Sequence, residues 1–339
     1  MSRSLWATLG LALTACGGED LASIVIRWST PAEGALAPPG EGPDRRILVA
    51  GKDSGTFLTL EAGTGRTVEG PFALFPTLHA PVAIGADLYL VSSVGRIVRV
   101  NLAGETLPSP AFALGRTGPP VVGADGALRL VATSGRLVIV AGEEVRADVT
   151  VDGVAETAPA VANDGVTYVA TDTGAVLGIS ATGATVFTAA VNAPASGPSV
   201  SGDRVAVGAL DAVVVFERSG AMAFRAPRAA RVVGTLWDGS ELLAWGEDGK
   251  LERYGPDGSV ISSFNAGPPI YGPVAILPTG KVAVFDSTGR AHRVTKEGVA
   301  EANLELGQEA GRQAAQTELG WVVVSVGGEA KALDFEVEL

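Results

Sequence analysis

The chain has 339 residues, 47% hydrophobic and only 18% charged, with 45 Gly and 20 Pro. That mixture excludes a bundle of long helices and suits many short strands joined by turns. A formal net charge of −12 repels phosphate backbones and excludes a nucleic-acid partner, and a single cysteine, Cys16, excludes an intramolecular disulfide.

The first segment, "MSRSLWATLGLALTAC", has a basic start at Arg3 and an apolar run from Leu5 to Leu13. The run is too short to span a bilayer and reads as a secretory leader, residues 1–15. Its end, Leu13, Thr14, Ala15 and Cys16, resembles the bacterial lipobox. The resemblance implies cleavage before Cys16 and acylation of its thiol, several acyl chains giving the stable anchoring that one would not. Residues 16–22 then form a tether, and membrane contact is through the lipid alone. Gly17 stands where an inner-membrane retention signal has Asp, which implies the outer membrane, facing the periplasm. The alternative is an ordinary leader with an incidental cysteine.

Beyond the tether, "SIVIRW" (23–28) is a strand with no turn partner nearby. Further along, "NDGVTYVATDTGAVLGISATGATVF" (163–187) alternates apolar and polar residues between tight turns. With "APAVAN" (158–163) just before it, it makes four strands in about forty residues. The unit repeats. Pro81, Pro120, Pro159 and Pro198 open copies 39 residues apart, Pro273 opens another, and the copy between, "VVGTLWDGSELLAWG", lacks the proline. A second marker falls in the turn between the second and third strands, at Gly55, Gly95, Gly135, Gly174, Asp211, Gly249, Gly289 and Gly328. Glycine suits that turn because it takes positive φ without a Cβ clash.

Eight copies of four strands predict an all-β chain, an eight-bladed β-propeller of four-stranded antiparallel blades occupying residues 23–339 as one domain. The small apolar inner segments "APVAI", "PPVVG", "APAVA", "GPSVS" and "GPVAI" fit the crowding at a central axis. The final copy supplies only three strands, so "SIVIRW" is expected to complete the eighth blade as its outer strand. Seven blades are the alternative if the terminal strands pair differently.

The copies resemble the PQQ-like (quinoprotein-type) propeller repeat. "DGVTYVATDTGAVLGISATGATVF" follows it well, and Ala62, Gly63, Thr64, Gly65 and Arg66 resemble its C-terminal turn. The repeat's closing tryptophan is missing, with Phe187 and Phe264 in its place. One branch of that family is the quinone-dependent dehydrogenases, whose cofactor and Ca²⁺ need basic and oxygen-bearing side chains that the inner segments lack. Another is the BamB-like lipoproteins of the outer-membrane β-barrel assembly machinery. Resemblance to that branch implies a non-enzymatic, monomeric scaffold with no cofactor, bound to envelope proteins.

No nucleophile elbow, phosphate loop, HExxH or EF-hand loop is present. "GTGRT" (63–67) is read as a hairpin turn, as are the Asp-Gly pairs at Asp125, Asp164, Asp238, Asp248 and Asp257. His79 and His292 have no partner at metal-ligand spacing and are read as structural. Two stretches are candidate partner contacts. Arg218, Arg225, Arg228 and Arg231 form a basic island in an acidic chain, to be weighed against scattered solvated arginines. "AGPPIYGP" (266–273) carries Tyr271, either presented on a loop or packed between blades. A glycan- or peptide-binding propeller is the rival to the scaffold.

Overall fold

The computed structural model describes residues 23–31, 36–52, 54–111, 114–153, 157–193, 196–307, 314–317, 320–324 and 329–337. These form thirty-two strands in eight four-stranded sheets, each a blade of an eight-bladed β-propeller. Seven blades are continuous in sequence: residues 40–73, 82–107, 121–150, 160–190, 199–227, 232–265 and 274–305, each running from an inner strand outwards. The proline-led segments supply inner strands such as Val82–Ile84, Ala160–Val161 and Val274–Ile276.

The eighth blade joins the two ends of the described chain. Ala314–Thr317, Gly320–Val324 and Glu329–Val337 are its inner three strands, and Ser23–Pro31 is its outer one. The outer strand pairs antiparallel from Ser23↔Val337 to Pro31↔Glu329, as the lone "SIVIRW" segment leads one to expect. Trp28 fastens this blade to the first: its indole N–H donates to Ala62 O at 2.7 Å, and Thr30 Oγ1 donates to Gly65 O at 2.6 Å.

The glycine marker has two causes. Gly135, Gly174 and Gly249 take φ of 79°, 92° and 72°. Added Cβ atoms at Gly174 and Gly249 would lie 2.6 Å from Val191 O and Gly267 O, where the chain leaves the outer strand. That departing strand donates back to the marker's carbonyl in blade after blade: Leu74 N to Gly55 O (2.8 Å), Val191 N to Gly174 O (2.8 Å), Leu306 N to Gly289 O (2.9 Å). Asp211 keeps this bond, from Arg228 N at 2.7 Å. It dispenses with glycine because its turn is shorter, closed by Ala209 N to Ala212 O at 2.8 Å.

Blades stack through a row of three opposed residues on the second, third and outer strands, which faces the following blade. The row reads Tyr168, Gly178, Phe187 in blade 4 and Ala206, Val215, Phe224 in blade 5. It reads Leu243, Arg253, Ser262 in blade 6 and Ala283, Arg293, Ala302 in blade 7. By register, therefore, the counterpart of Phe187 is Phe224. Phe264 opposes Leu251 and belongs with Ala189, which opposes Val176.

The alternation of strands gives the ring two faces. One carries the second-to-third turns and the crossovers between blades. The other carries the inner-to-second and third-to-outer hairpin turns.

Candidate functional site

The arginine island divides between the faces. Arg218 lies in a third-to-outer turn on the hairpin face, paired with Asp164 of the preceding blade. Arg225, Arg228 and Arg231 gather on the crossover face of blades 5 and 6. Arg225 pairs with Asp211 at 2.7 Å and Arg231 with Glu247 at 3.7 Å, all four side chains being partly exposed. The island is thus neutralised in place and carries no net positive field.

Arg228 differs from the expectation of a contact residue: its side chain is 1% exposed. Its guanidinium donates to Ala244 O at 3.0 Å, Asp248 Oδ1 at 2.8 Å and Lys250 O at 3.2 Å, fixing blade 5 to blade 6. A charge this deep persists because its donors are matched by acceptors. Tyr254 beside it donates to Glu252, and burial followed by that bond pushes its phenol well above the usual range.

Tyr271 is presented at 39% exposure on the crossover from blade 6 to blade 7, while its neighbour Ile270 is fully buried. Leu210, exposed at 53%, stands beside Asp211 on the same face. Arg231 and Tyr271 thus lie on consecutive crossovers, with Leu210 in the second-to-third turn of blade 5 and Arg225 on its outer strand. Two backbone bonds tie the two crossovers to one turn: Glu247 N to Arg231 O (3.0 Å) and Ile270 N to Gly246 O (3.1 Å).

The hairpin face carries two adjoining cavities of about 350 Å³, over the junctions of blades 4 with 5 and 5 with 6. Both are lined by Ser201 and Asp203. An arginine braces each: Arg218 crosses to Asp164, and Arg204 donates to Pro256 O at 2.8 Å while pairing with Glu217 at 3.2 Å. Trp237 lines the second cavity, and its Nε1 is buried with no acceptor. No donor among the described residues holds the Asp203 carboxylate, whose charge adds to burial in raising the pKa of Tyr168. Reading the sequence by copies missed Asp203 and Trp237. Each looks like an ordinary hairpin residue, and only the stacking of blades brings them together.

Both histidines have structural partners. His79 Nε2 lies 2.9 Å from Thr117 O, and burial lowers its pKa. His292 is 5% exposed, with Nε2 2.9 Å from Asp286 Oδ2. Burial pushes Asp286 up, but hydrogen bonds from Thr288 and His292 outweigh it and hold the carboxyl below its ordinary range. Among the described residues no group of three or more His, Cys, Asp or Glu is placed to hold a metal ion. The inner strands carry Val82, Ile84, Val121, Val122 and Val161, with Glu41, Ser199, Thr235 and Asp238 among their polar members and, among the described residues, no Lys or Arg. A quinone bearing several carboxylates therefore finds no basic partner on these strands. Leu13, Thr14, Ala15 and Cys16 lie outside the described residues.

No family model and no curated protein matches the chain. Among solved structures, BamB from Moraxella catarrhalis superposes with a TM-score of 0.60 at 16% identity, over 82% of this chain and 96% of that one. A computationally designed protein, Ika8, superposes with a TM-score of 0.72 at 13% identity, over 93% of this chain and 99% of that one. A designed protein fits more closely than a natural one, so what is shared is the fold.

Proposed function

We propose that this chain is a non-enzymatic scaffold lipoprotein of the bacterial envelope, built from PQQ-like repeats and acting in outer-membrane protein assembly. Support comes first from the likeness to BamB, which spans nearly all of that chain, taken together with the lipobox-like sequence ending at Cys16. The described inner strands add to it, carrying no Lys or Arg where a quinone's carboxylates need them.

In this reading Cys16 carries the lipid and the propeller faces the periplasm. The outer strand of blade 8 starts at Ser23 on the hairpin side of the ring, and seven residues of tether reach at most about 25 Å. The hairpin face is therefore nearer the membrane, and the crossover face of blades 5–7 is offered to a protein partner. Arg225, Arg231, Tyr271 and Leu210 supply the contacts, and Arg228 holds their scaffold together. The exposed pairs Arg225–Asp211 and Arg231–Glu247 are each worth at most about 1 kcal/mol, so a partner's carboxylates replace Asp211 and Glu247 at little cost.

Mild crosslinking in membranes of the native host, followed by mass spectrometry, tests this. β-Barrel assembly proteins are expected with the wild type and are expected to be lost with Cys16→Ala. Recovery of an unrelated envelope complex, or of none, overturns the assembly role.

A further inference from the structure

Among the described residues, the exposed large apolar side chains crowd one edge of the ring. All but Val94, Leu210 and Tyr271 lie near or just before the start of an outer strand, which is its hairpin-side end. Val299 of blade 7, Val25 and Ile26 of blade 8, and Val68 of blade 1 flank the point where the tether enters at Ser23. The three outer strands interlock there. Ile24 shares a core with Ala302 and Leu304 of blade 7. The blade 1 turn lies against Trp28, so closely that a Cβ on Gly65 would come within 2.4 Å of the indole. The apolar side chains are thus carried by one packed sector of the rim. Its arginines are matched, Arg27 with Asp334 and Arg66 with Glu61 at 3.9 Å.

We propose that this sector of the rim, formed by blades 7, 8 and 1, rests on the bilayer surface, with Val299, Val25, Ile26 and Val68 seated among the headgroups. The inference rests on the anchoring of Cys16 proposed above, and it adds which part of the propeller the anchor brings to the membrane. Seven residues of tether keep Ser23 within about 25 Å of the lipid. The bilayer is therefore the surface that this sector meets at the highest effective concentration. Apolar side chains gain by leaving water at the interface. Matched arginines and a net charge of −12 favour zwitterionic headgroups over anionic ones. Blade 4 stands opposite blade 8 in the ring, so its Val186, 56% exposed near the start of its own outer strand, is held away from the membrane.

The test couples the mature chain, residues 16–339, through the Cys16 thiol to a maleimide-bearing lipid in phosphatidylcholine vesicles with brominated acyl chains. Bromine quenches an indole only where it meets the bilayer. In Val299→Trp and Val68→Trp the added indole is expected to lose about half its emission, and in Val186→Trp none. Hydrogen exchange gives a readout that needs no substitution. Coupling is expected to slow the backbone amides at 25–28 and 299–302 and to leave 186–189 unchanged. Equal quenching at all three positions, or at none, overturns the inference. So does protection at 25–28 that appears in the free chain as its concentration rises, because a second copy then covers the rim. Because the coupling is chemical, absence of quenching sinks the membrane seat alone. Absence of acyl label on Cys16 in the native host sinks the anchoring itself.

Discussion

In blade 4 the row facing the next blade is Tyr168, Gly178 and Phe187; in blade 6 the equivalent row is Leu243, Arg253 and Ser262. The two rows fill one recurring slot by opposite means. In blade 4 the third strand shrinks to glycine so that Phe187 can lie across it, edge-on to Tyr168 at 5.3 Å. In blade 6 the third strand reaches out with Arg253, 3% exposed and 2.6 Å from both Asp238 and Glu241, while the outer strand shrinks to Ser262. Blade 7 repeats the second solution with Arg293 opposite Ala302, its Nη1 donating to Phe335 O of blade 8 at 2.5 Å. The slot therefore constrains volume more than polarity, each buried guanidinium being held through part of its donors: Arg253 Nη1 by Asp238 and Glu241, Arg293 Nη1 by Phe335 O.

The two solutions should differ in what they contribute. Phe187→Ala removes a well-packed ring and leaves a cavity, and is expected to cost about 3–5 kcal/mol in denaturant unfolding. Gly178→Ala places a Cβ 2.7 Å from Phe187 Cβ and is expected to cost about 1–3 kcal/mol, much of it recovered when Phe187→Ala is added. Arg253→Met keeps most of the volume, and the Asp238 and Glu241 it abandons are 21% and 33% exposed, so they rehydrate; the expected loss is about 1 kcal/mol. Equal losses for Phe187→Ala and Arg253→Met would break the comparison.

A smaller effect separates the slots by pH. The Lys281 ammonium, hydrogen-bonded at 2.7 Å, holds the Glu301 carboxyl below its ordinary range, and Arg293 beside it adds to this. The stability gained is fully present above the unfolded value of about 4.3 and is lost as pH falls from there through the depressed folded value. Melting curves from pH 7 to pH 3 should show Glu301→Gln less stable than wild type near neutrality, with the gap closing below about pH 4. The gap between Phe187→Ala and wild type should stay constant across the same range.

The repeat was legible because its markers answer local demands, such as positive φ at Gly174 or crowding at the axis beside Ala160 and Val161. The closing strand was legible because an apolar segment with no neighbouring turn partner must pair at a distance. What the sequence hid depends on contacts between copies. Phe224 escaped notice as the counterpart of Phe187 although each stands 13 residues after its marker, Asp211 and Gly174, and the same bulge recurs in both blades. Arg228 reads as a surface charge until blade 6 supplies Ala244 O and Asp248. Asp203 and Trp237 become neighbours only when two hairpins from successive blades stand side by side.

The pairing of Ser23 with Val337 also has a consequence in time. The strand that emerges first from the ribosome waits for the one that emerges last, roughly 300 residues later, about 15–60 s at ordinary rates of synthesis. Throughout that interval seven blades can form while the ring stays open between blade 1 and blade 7. Closure is therefore a late step of high contact order, and a chain halted before Glu329 has no means of completing it.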